Sequence, residues 1–396
     1  MRTATQDKLT DLILERLEGM MPARRPVALH EPSFGTDAWG LVKDCLDSGW
    51  VSSAGAYVDR FEQGLADYTG IANAVATVNG TAALHTCLLL AGVRPGDEVL
   101  LPALTFVGTA NPVAAMGAIP HFVDSAGDTL GVSPRALSAH LAEIAEWRGG
   151  ICINRHTGRR IRALVVVHVL GHLADMPALR EIADRYRLKL IEDAAEALGS
   201  FRDDRHAGHW GDSAALSFNG NKVITTGGGG AVMTNEAELA RQARHLTTTA
   251  KLPHPWALEH DQVAFNYRLP NLNAALGVAQ LGQLPGLLAA KRELARTYRQ
   301  AFAGLGAVQL FAEPAGCRAN HWLNLLLLPD AGQRDALLEA ALARGLLLRP
   351  LWTPLHRLPM YTEVPRATLP VAESLFARSV CLPSSAALIS DGETPQ

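Results

Sequence analysis

Short apolar or β-branched runs alternate with helical patterns from residue 74 to 235, and that alternation limits the fold more than any other feature of the chain. Strand patterns cover 74–78, 98–101, 120–123, 162–169, 188–191, 214–218 and 231–234. The run RALVVVHV at 162–169 is nearly free of polar alternation and reads as a strand buried on both faces. Helical patterns fill 81–91, 108–116, 133–144 and 175–187, with Ser133 and Pro134 suited to the N-cap and first helical position. Strands joined through helices imply crossovers, and therefore a largely parallel sheet covered on both faces. Ligands of such sheets sit beyond the carboxyl ends of the strands. The residues that follow each strand are the first candidates for chemistry.

After residue 265 the texture changes. An Ala/Leu-rich stretch at 272–305 reads as a long helix, with Lys291, Arg292, Arg296 and Arg299 marking an exposed face. A strand pattern at 322–328, a helix at 333–344 and a Pro-punctuated tail follow. These features divide the chain into a large α/β domain at 28–265 and a smaller α+β domain at 266–396, with 1–27 as an N-terminal helical segment. The closing run SDGETPQ (390–396) reads as a solvated end.

Of 396 residues, 36 are Lys or Arg and 39 are Asp or Glu, a balance that offers no broad basic face to a nucleic-acid backbone. The five cysteines lie far apart, and their odd number fits a reducing compartment better than a disulfide framework or a zinc site. No uncharged apolar stretch approaches the ~20 residues that span a bilayer. The expectation is a cytoplasmic protein without metal, nucleic-acid partner or membrane segment.

Three turns could carry chemistry. At Asn79–Leu84 a strand passes into a helix through Gly80 and Thr81; free N–H groups and the helix dipole there favour phosphate, although an ordinary turn with a Thr cap reads equally simply. At 191–199 (IEDAAEALG) Asp193 could cap a helix. It could also keep the pyridine nitrogen of pyridoxal phosphate (PLP) protonated. At 217–222 (SFNGNK) Lys222 follows a buried strand; it reads as a surface lysine in a turn or as an amine placed to attack a carbonyl. The run Gly227–Gly230 allows close backbone approach. An anion turn, a strand-end Asp and a strand-end Lys are together the contacts that PLP requires.

Six segments resemble, in order, the DegT/DnrJ/EryC1/StrS family: WVSSAGAYVDRFE (50–62), NGTAALH (79–85), GDEVLLPALTFVGTANPV (96–113), IEDAAEALGS (191–200), SFNGNKVITTGGGGAV (217–232) and NYRLPNLNAALGVAQL (266–281). The resemblance implies a PLP-dependent nucleotide-sugar aminotransferase of the aspartate-aminotransferase fold, type I, with a large mixed, mostly parallel sheet domain and a smaller α+β C-terminal domain. Lys222 matches the lysine that holds the cofactor covalently and then moves protons. Asp193 matches the partner of the pyridine nitrogen. Gly80, Thr81 and Ser217 match phosphate contacts, and Phe106 matches the aromatic residue stacked on the ring. Glu196 falls where the family places a polar residue, often Gln or His, near the 3-hydroxyl. Asn266 matches an Asn that reaches the phosphate from a neighbouring subunit, which implies a homodimer with a shared site. His321 matches a His near the sugar, and Arg349, like Arg268, is a diphosphate candidate by charge.

Some members of the family are dehydratases with His at the lysine position, so Lys222 favours transamination with glutamate as donor. The segments LHEP (29–32), GWVSSAGAYV (49–58), HWLNLLLLPD (321–330) and LLRPLWTPLHRLPMY (347–361) are most similar to the branch acting on UDP-2-acetamido-2,6-dideoxy-4-hexulose, on the bacillosamine/legionaminic acid route to surface glycans. A GDP- or dTDP-linked 4-ketosugar, as in perosamine synthesis, a 3-ketosugar, and a non-catalytic regulatory homologue remain as alternatives. A dinucleotide-binding dehydrogenase is excluded, because no strand leads into GxGxxG.

Overall fold

The computed structural model describes residues 4–390, so the run expected to form a solvated end falls, from residue 391, outside the described residues. Seven strands build the main sheet: β1 (Asn73–Thr77), β2 (Glu98–Pro102), β3 (Ile119–Val123), β4 (Ile161–Val167), β5 (Lys189–Asp193), β6 (Ser213–Ser217) and β7 (Gly230–Thr234). Their order across the sheet is β1-β7-β6-β5-β4-β2-β3. From β6 to β3 every pairing is parallel, and β7 alone runs against its two neighbours. The strand patterns read from the sequence sit where these strands do, because a strand covered on both faces needs a continuous apolar run. In β4 every residue except Arg162 is buried.

Two helix expectations change. The pattern at 108–116 breaks into a 3₁₀ turn, Val107–Thr109, and a short helix, Asn111–Ala115, which Gly117 ends at φ +76. The break turns Thr109 inward, where its hydroxyl donates to Asp193. The helix after β1, α1 (Gly80–Leu90), is capped by Asn79, whose side chain accepts from the Ala82 N–H; Thr81 is not the cap. Ser133 does cap Pro134–Ile144, accepting from the Ala136 N–H.

Beyond the main sheet, the helix α2 (Asn271–Ala301) runs unbroken through Pro285. Arg296 and Arg299 lie on its exposed face, but Arg292 is half-buried and Lys291 is fully buried, which corrects the reading of all four as surface charges. A four-stranded antiparallel sheet follows, made of β8 (Gln309–Leu310), β9 (Asn324–Leu327), β10 (Arg349–Pro350) and β11 (Ser379–Leu382), in the order β8-β9-β11-β10. Its core takes in Leu326, Leu337 and Tyr298, together with Ile13, Leu14 and Leu17 from the N-terminal helix Ala4–Glu18.

The chain from 352 to 372 then returns to the main sheet. The Leu355 N–H donates to the Ala103 carbonyl, Phe122 exchanges backbone bonds with Pro365 and Ala367, and the Asp124 carboxylate accepts from the N–H groups of Val371 and Ala372. This anchorage carries Trp352 over the carboxyl ends of the strands. Among the described residues no helix is long and apolar enough to cross a membrane.

Candidate active site

The carboxyl ends of β1, β2, β4, β5 and β6 open on one cavity of ≈ 390 Å³, whose lining includes Gly80, Thr81, Phe106, Asp193, Glu196, Ser217 and Lys222. These residues come from segments up to 142 positions apart (222 − 80), yet the parallel topology delivers them to one edge. Because β7 is antiparallel, it begins at that same edge. A Cβ on Gly230 would lie 2.5 Å from the Asn79 carbonyl carbon, and one on Gly80 would lie 2.8 Å from Ser217 Cβ. The glycines are therefore required for three backbone segments to meet at the start of α1.

That start forms an anion cradle. Helix geometry leaves the first N–H groups without an intrahelical acceptor. Asn79 accepts from Ala82, which leaves the N–H groups of Gly80 and Thr81 beside the Ser217 hydroxyl on the cavity wall. The positive end of the helix dipole adds to the attraction for phosphate.

At the opposite wall stands Asp193. Its carboxylate accepts from the Thr109 hydroxyl at 2.7 Å and from the Ala195 N–H at 3.2 Å, and no helix follows for it to cap. Thr105 extends the chain, its hydroxyl 3.0 Å from that of Thr109. Burial raises the pKa of Asp193, while these hydrogen bonds and nearby Lys222 pull it down. A buried carboxylate with two neutral donors is stabilised by any cation that enters the cavity. The protonated pyridine nitrogen of PLP has that character, and the cradle suits its phosphate, so the residues present fit the cofactor.

Strand alternation separates the two acids of IEDAA. Glu192 faces the other side and is met by four donors: His168 Nε2 and the N–H groups of Gly208, Trp210 and Gly211. His168 accepts at Nδ1 from the Ala174 N–H, so it is a satisfied core histidine and not a ligand-binding one.

Lys222 lies in a turn closed by its own N–H to the Asn219 carbonyl, and the Thr226 N–H to the Phe218 carbonyl closes the wider loop. Its Nζ is 3.4 Å from Glu196 Oε1 and 3.9 Å from the centroid of the Trp322 ring. The amine thus enters the cavity between a carboxylate and an aromatic face. Burial raises the pKa of Glu196, and Lys222 opposes the rise. The other oxygen of Glu196 accepts from the N–H of Leu170, whose φ of +56 is unusual for a leucine. Phe106 lines the cavity with 54% of its surface exposed, free to lie against a flat ligand.

Four expected contacts lie elsewhere. Asn266 is exposed and outside the cavity of its own chain. His321 is buried at φ +48, with its ring edge-on to His172 and Nε2 3.9 Å from Glu313, and it lines neither this cavity nor its neighbour. Burial first, then nearby positive groups, hold its pKa well below the ordinary histidine value. Arg349 lines a second cavity of ≈ 380 Å³, which shares Asn221, Trp322 and Trp352 with the first. Arg268 is buried in an ion pair with Glu62 and donates to the Ala76 carbonyl, so its charge serves the core and not a diphosphate.

Sequence reasoning missed Thr105, Thr109, Asn219, Asn221, Trp322 and Trp352, all on the wall of the first cavity. Thr105 and Thr109 lie inside a segment already noted for its resemblance, whose apolar period at 108–116 suggested a helix. Trp322 also lies inside such a segment (321–330), but nothing local marks it as a cavity residue. Its indole N–H donates to the Asn221 carbonyl at 2.6 Å, across 101 residues of chain.

Residues 33–393 match the DegT/DnrJ/EryC1/StrS aminotransferase family. The chain is 35% identical to the GDP-perosamine synthase of Vibrio cholerae, over 92% of this chain and 95% of that one. It is 34% identical to the putative pyridoxal phosphate-dependent aminotransferase EpsN of Bacillus subtilis, over 93% of each. In structure it is similar to the aminotransferase TlmJ of Streptoalloteichus hindustanus, with a TM-score of 0.83 at 29% identity, over 91% of this chain and 94% of the other. With most of its length matched and a cavity that fits the cofactor, the chain belongs to the DegT/DnrJ/EryC1/StrS family and is a PLP-dependent aminotransferase.

Proposed function

We propose that the protein transfers an amino group from L-glutamate to C4 of a nucleotide-linked 4-keto-6-deoxy sugar, with GDP as the nucleotide. The observation that carries the chemistry is the convergence of the Lys222 amine, the Asp193 carboxylate and the start of α1 in one cavity. The names of relatives support the substrate: proteins from Vibrio cholerae, Escherichia coli O157:H7 and Caulobacter vibrioides, each 35% identical, are GDP-perosamine synthases. That support moves the reading away from the UDP-2-acetamido branch. The UDP-linked sugar stays as a second reading because of the segments at 29–32 and 347–361.

When bound, PLP supplies an aldehyde that takes up amines and a ring that accepts electrons from the adjacent carbon. The residues of the chain do the rest. Gly80, Thr81 and Ser217 hold the phosphate, and Phe106 covers one face of the ring. Asp193 keeps a proton on the pyridine nitrogen. Lys222 would hold the aldehyde carbon covalently, with loss of water, and its amine, once freed, would carry a proton between that carbon and the substrate carbon that gains or loses nitrogen. Glu196, 3.4 Å from Nζ, takes part by orienting the amine.

Asn266 acts in the site of a second copy. Its exposure fits that role, as do Trp256, Leu258 and Val263, at least 74% exposed on the loop that precedes it. A shared site makes the dimer the active unit.

Incubating the protein with glutamate and GDP-linked, UDP-linked and dTDP-linked 4-ketosugars in parallel tests the substrate. Amination of the GDP sugar with the highest kcat/KM supports the proposal, and a preference for the UDP-2-acetamido sugar replaces it with the second reading. Lys222→Ala tests the chemistry. It should abolish the borohydride-reducible adduct of cofactor with protein and lower turnover by at least about 10³-fold, within the range for losing a general acid–base group and more where a nucleophile is also lost. An adduct that persists on another lysine refutes the assignment.

A further inference from the structure

The second cavity contains a histidine whose hydrogen bonds have nowhere to go. His30 lines that cavity, and both of its ring nitrogens are buried without a partner among the described residues. A buried polar group left this way forfeits its hydration with no compensating bond, so an unpartnered histidine on a cavity wall points to a ligand. The surrounding backbone is held firmly. The Leu29 carbonyl accepts from the Ser384 N–H at 2.7 Å, and the Glu31 N–H donates to the Ser385 hydroxyl at 2.8 Å. His30 is therefore placed, not adrift. Burial, followed by the charges of Lys291 and Lys222, holds its pKa well below the ordinary value. The ring is neutral near pH 7, with one N–H donor and one acceptor. Histidine χ2 is a soft torsion, so a small turn of the ring brings either nitrogen to the cavity surface.

The remaining walls define what enters. Leu29, Leu170 and Leu351 give an apolar surface, and Trp322 and Trp352 connect the space to the cavity that holds Lys222. Apolar walls with one donor–acceptor group suit a deoxyhexose, which has a methyl group and C–H faces besides a few polar substituents.

We infer that His30 is a specificity-determining residue, which hydrogen-bonds a ring substituent able both to donate and to accept, a hydroxyl or an acetamido group, on the ketosugar in the second cavity. The inference rests on the reading of the substrate as a nucleotide-linked ketosugar. It assigns His30 to sugar recognition and not to proton transfer at the cofactor.

The test compares wild type, His30→Leu and His30→Gln with two acceptors, a GDP-linked 4-keto-6-deoxyhexose with a free 2-hydroxyl and a UDP-linked one with a 2-acetamido group. For His30→Leu, KM for the ketosugar should rise about 10-fold, the loss expected for one net hydrogen bond, while kcat and the KM for glutamate move less than twofold. His30→Gln, which keeps a donor and an acceptor, should recover part of the loss. The acceptor that shows the larger rise carries the substituent that is read. Equal losses toward glutamate and sugar, or no change in ketosugar KM, overturn the inference while leaving the proposed function intact. A wild type that aminates neither acceptor removes the substrate reading, and this inference with it.

Discussion

The two adjoining cavities satisfy their polar groups differently. In the first, Asp193 is met by Thr109 and Ala195, Glu196 by Leu170 and Lys222, and the start of α1 is fitted around glycines that leave no room for a methyl group. In the second, the walls are mostly apolar and His30 has no partner among the described residues. The first is preorganised for one ligand of fixed charge pattern, an anion at one end and a cation at the other. The second has shape without completed polar contacts, which suits a site where substrate identity varies between relatives. Preorganised electrostatics serve the chemistry, and groups left open serve selection.

Asp193→Asn challenges this contrast most severely. If the first cavity works through a fixed charge pattern, a neutral amide cannot keep a proton on the cofactor nitrogen, although the Thr109 contact survives. The glutamate half-reaction, followed as a single turnover, should slow by at least about 10²-fold, the lower end for a misplaced proton. A variant with normal turnover would show that Asp193 only shapes the wall. Gly80→Ala has a smaller effect. Its Cβ would meet Ser217 Cβ at 2.8 Å, and that side chain stands on a strand that cannot retreat. Overpacking of this kind costs roughly 1–3 kcal/mol. Cofactor affinity, measured by titrating the apoenzyme, should fall by about 10-fold or more, with kcat at saturating cofactor changed far less. Unchanged affinity would break the case for a tight cradle.

The same contrast explains what the sequence showed. The main sheet was legible because each strand is a local run of apolar residues, and the first cavity because its chemistry sits directly after those strands in short segments. Thr109 escaped because the apolar period of 108–116 suggested a helix, whereas Pro112, which has no N–H to continue one, starts a new helix there, and the Thr109 hydroxyl in the preceding turn donates to Asp193. The second cavity joins Leu29 and His30 to Arg349–Trp352 and Cys381, segments more than 300 residues apart that only tertiary packing brings together. His321 and Arg268 misled for a related reason. A charged or titratable side chain near a motif is as readily used by the core, as the pairing of Arg268 with Glu62 shows.

Lys291 lies at the seam and gives the finest test. Placed by its period and charge on an exposed helical face, it is instead 1% exposed, and its amine donates to the carbonyl of Trp322 at 3.1 Å and to that of Ser384. It thereby ties the backbone of Trp322, whose side chain lines both cavities, to the segment after the last strand that holds Leu29 and Glu31 on either side of His30. Burial lowers its pKa to about 7, against an ordinary value near 10.5. Between those limits the unfolded chain binds a proton that the folded chain does not, so stability rises with pH across the window and levels off on either side of it. Each pH unit within the window contributes up to about 1.4 kcal/mol. The wild type should therefore gain on the order of 2 kcal/mol in unfolding free energy between pH 7 and 9 from this group alone. Lys291→Met retains the bulk, gives up two hydrogen bonds at about 1 kcal/mol each, and removes the titration. Denaturant unfolding at both pH values should show a flatter pH response in the variant, since contributions from all other groups cancel in the difference. Parallel responses would mean that the buried amine stays charged in the fold, and that the seam between the cavities is more polar than its two carbonyl partners indicate.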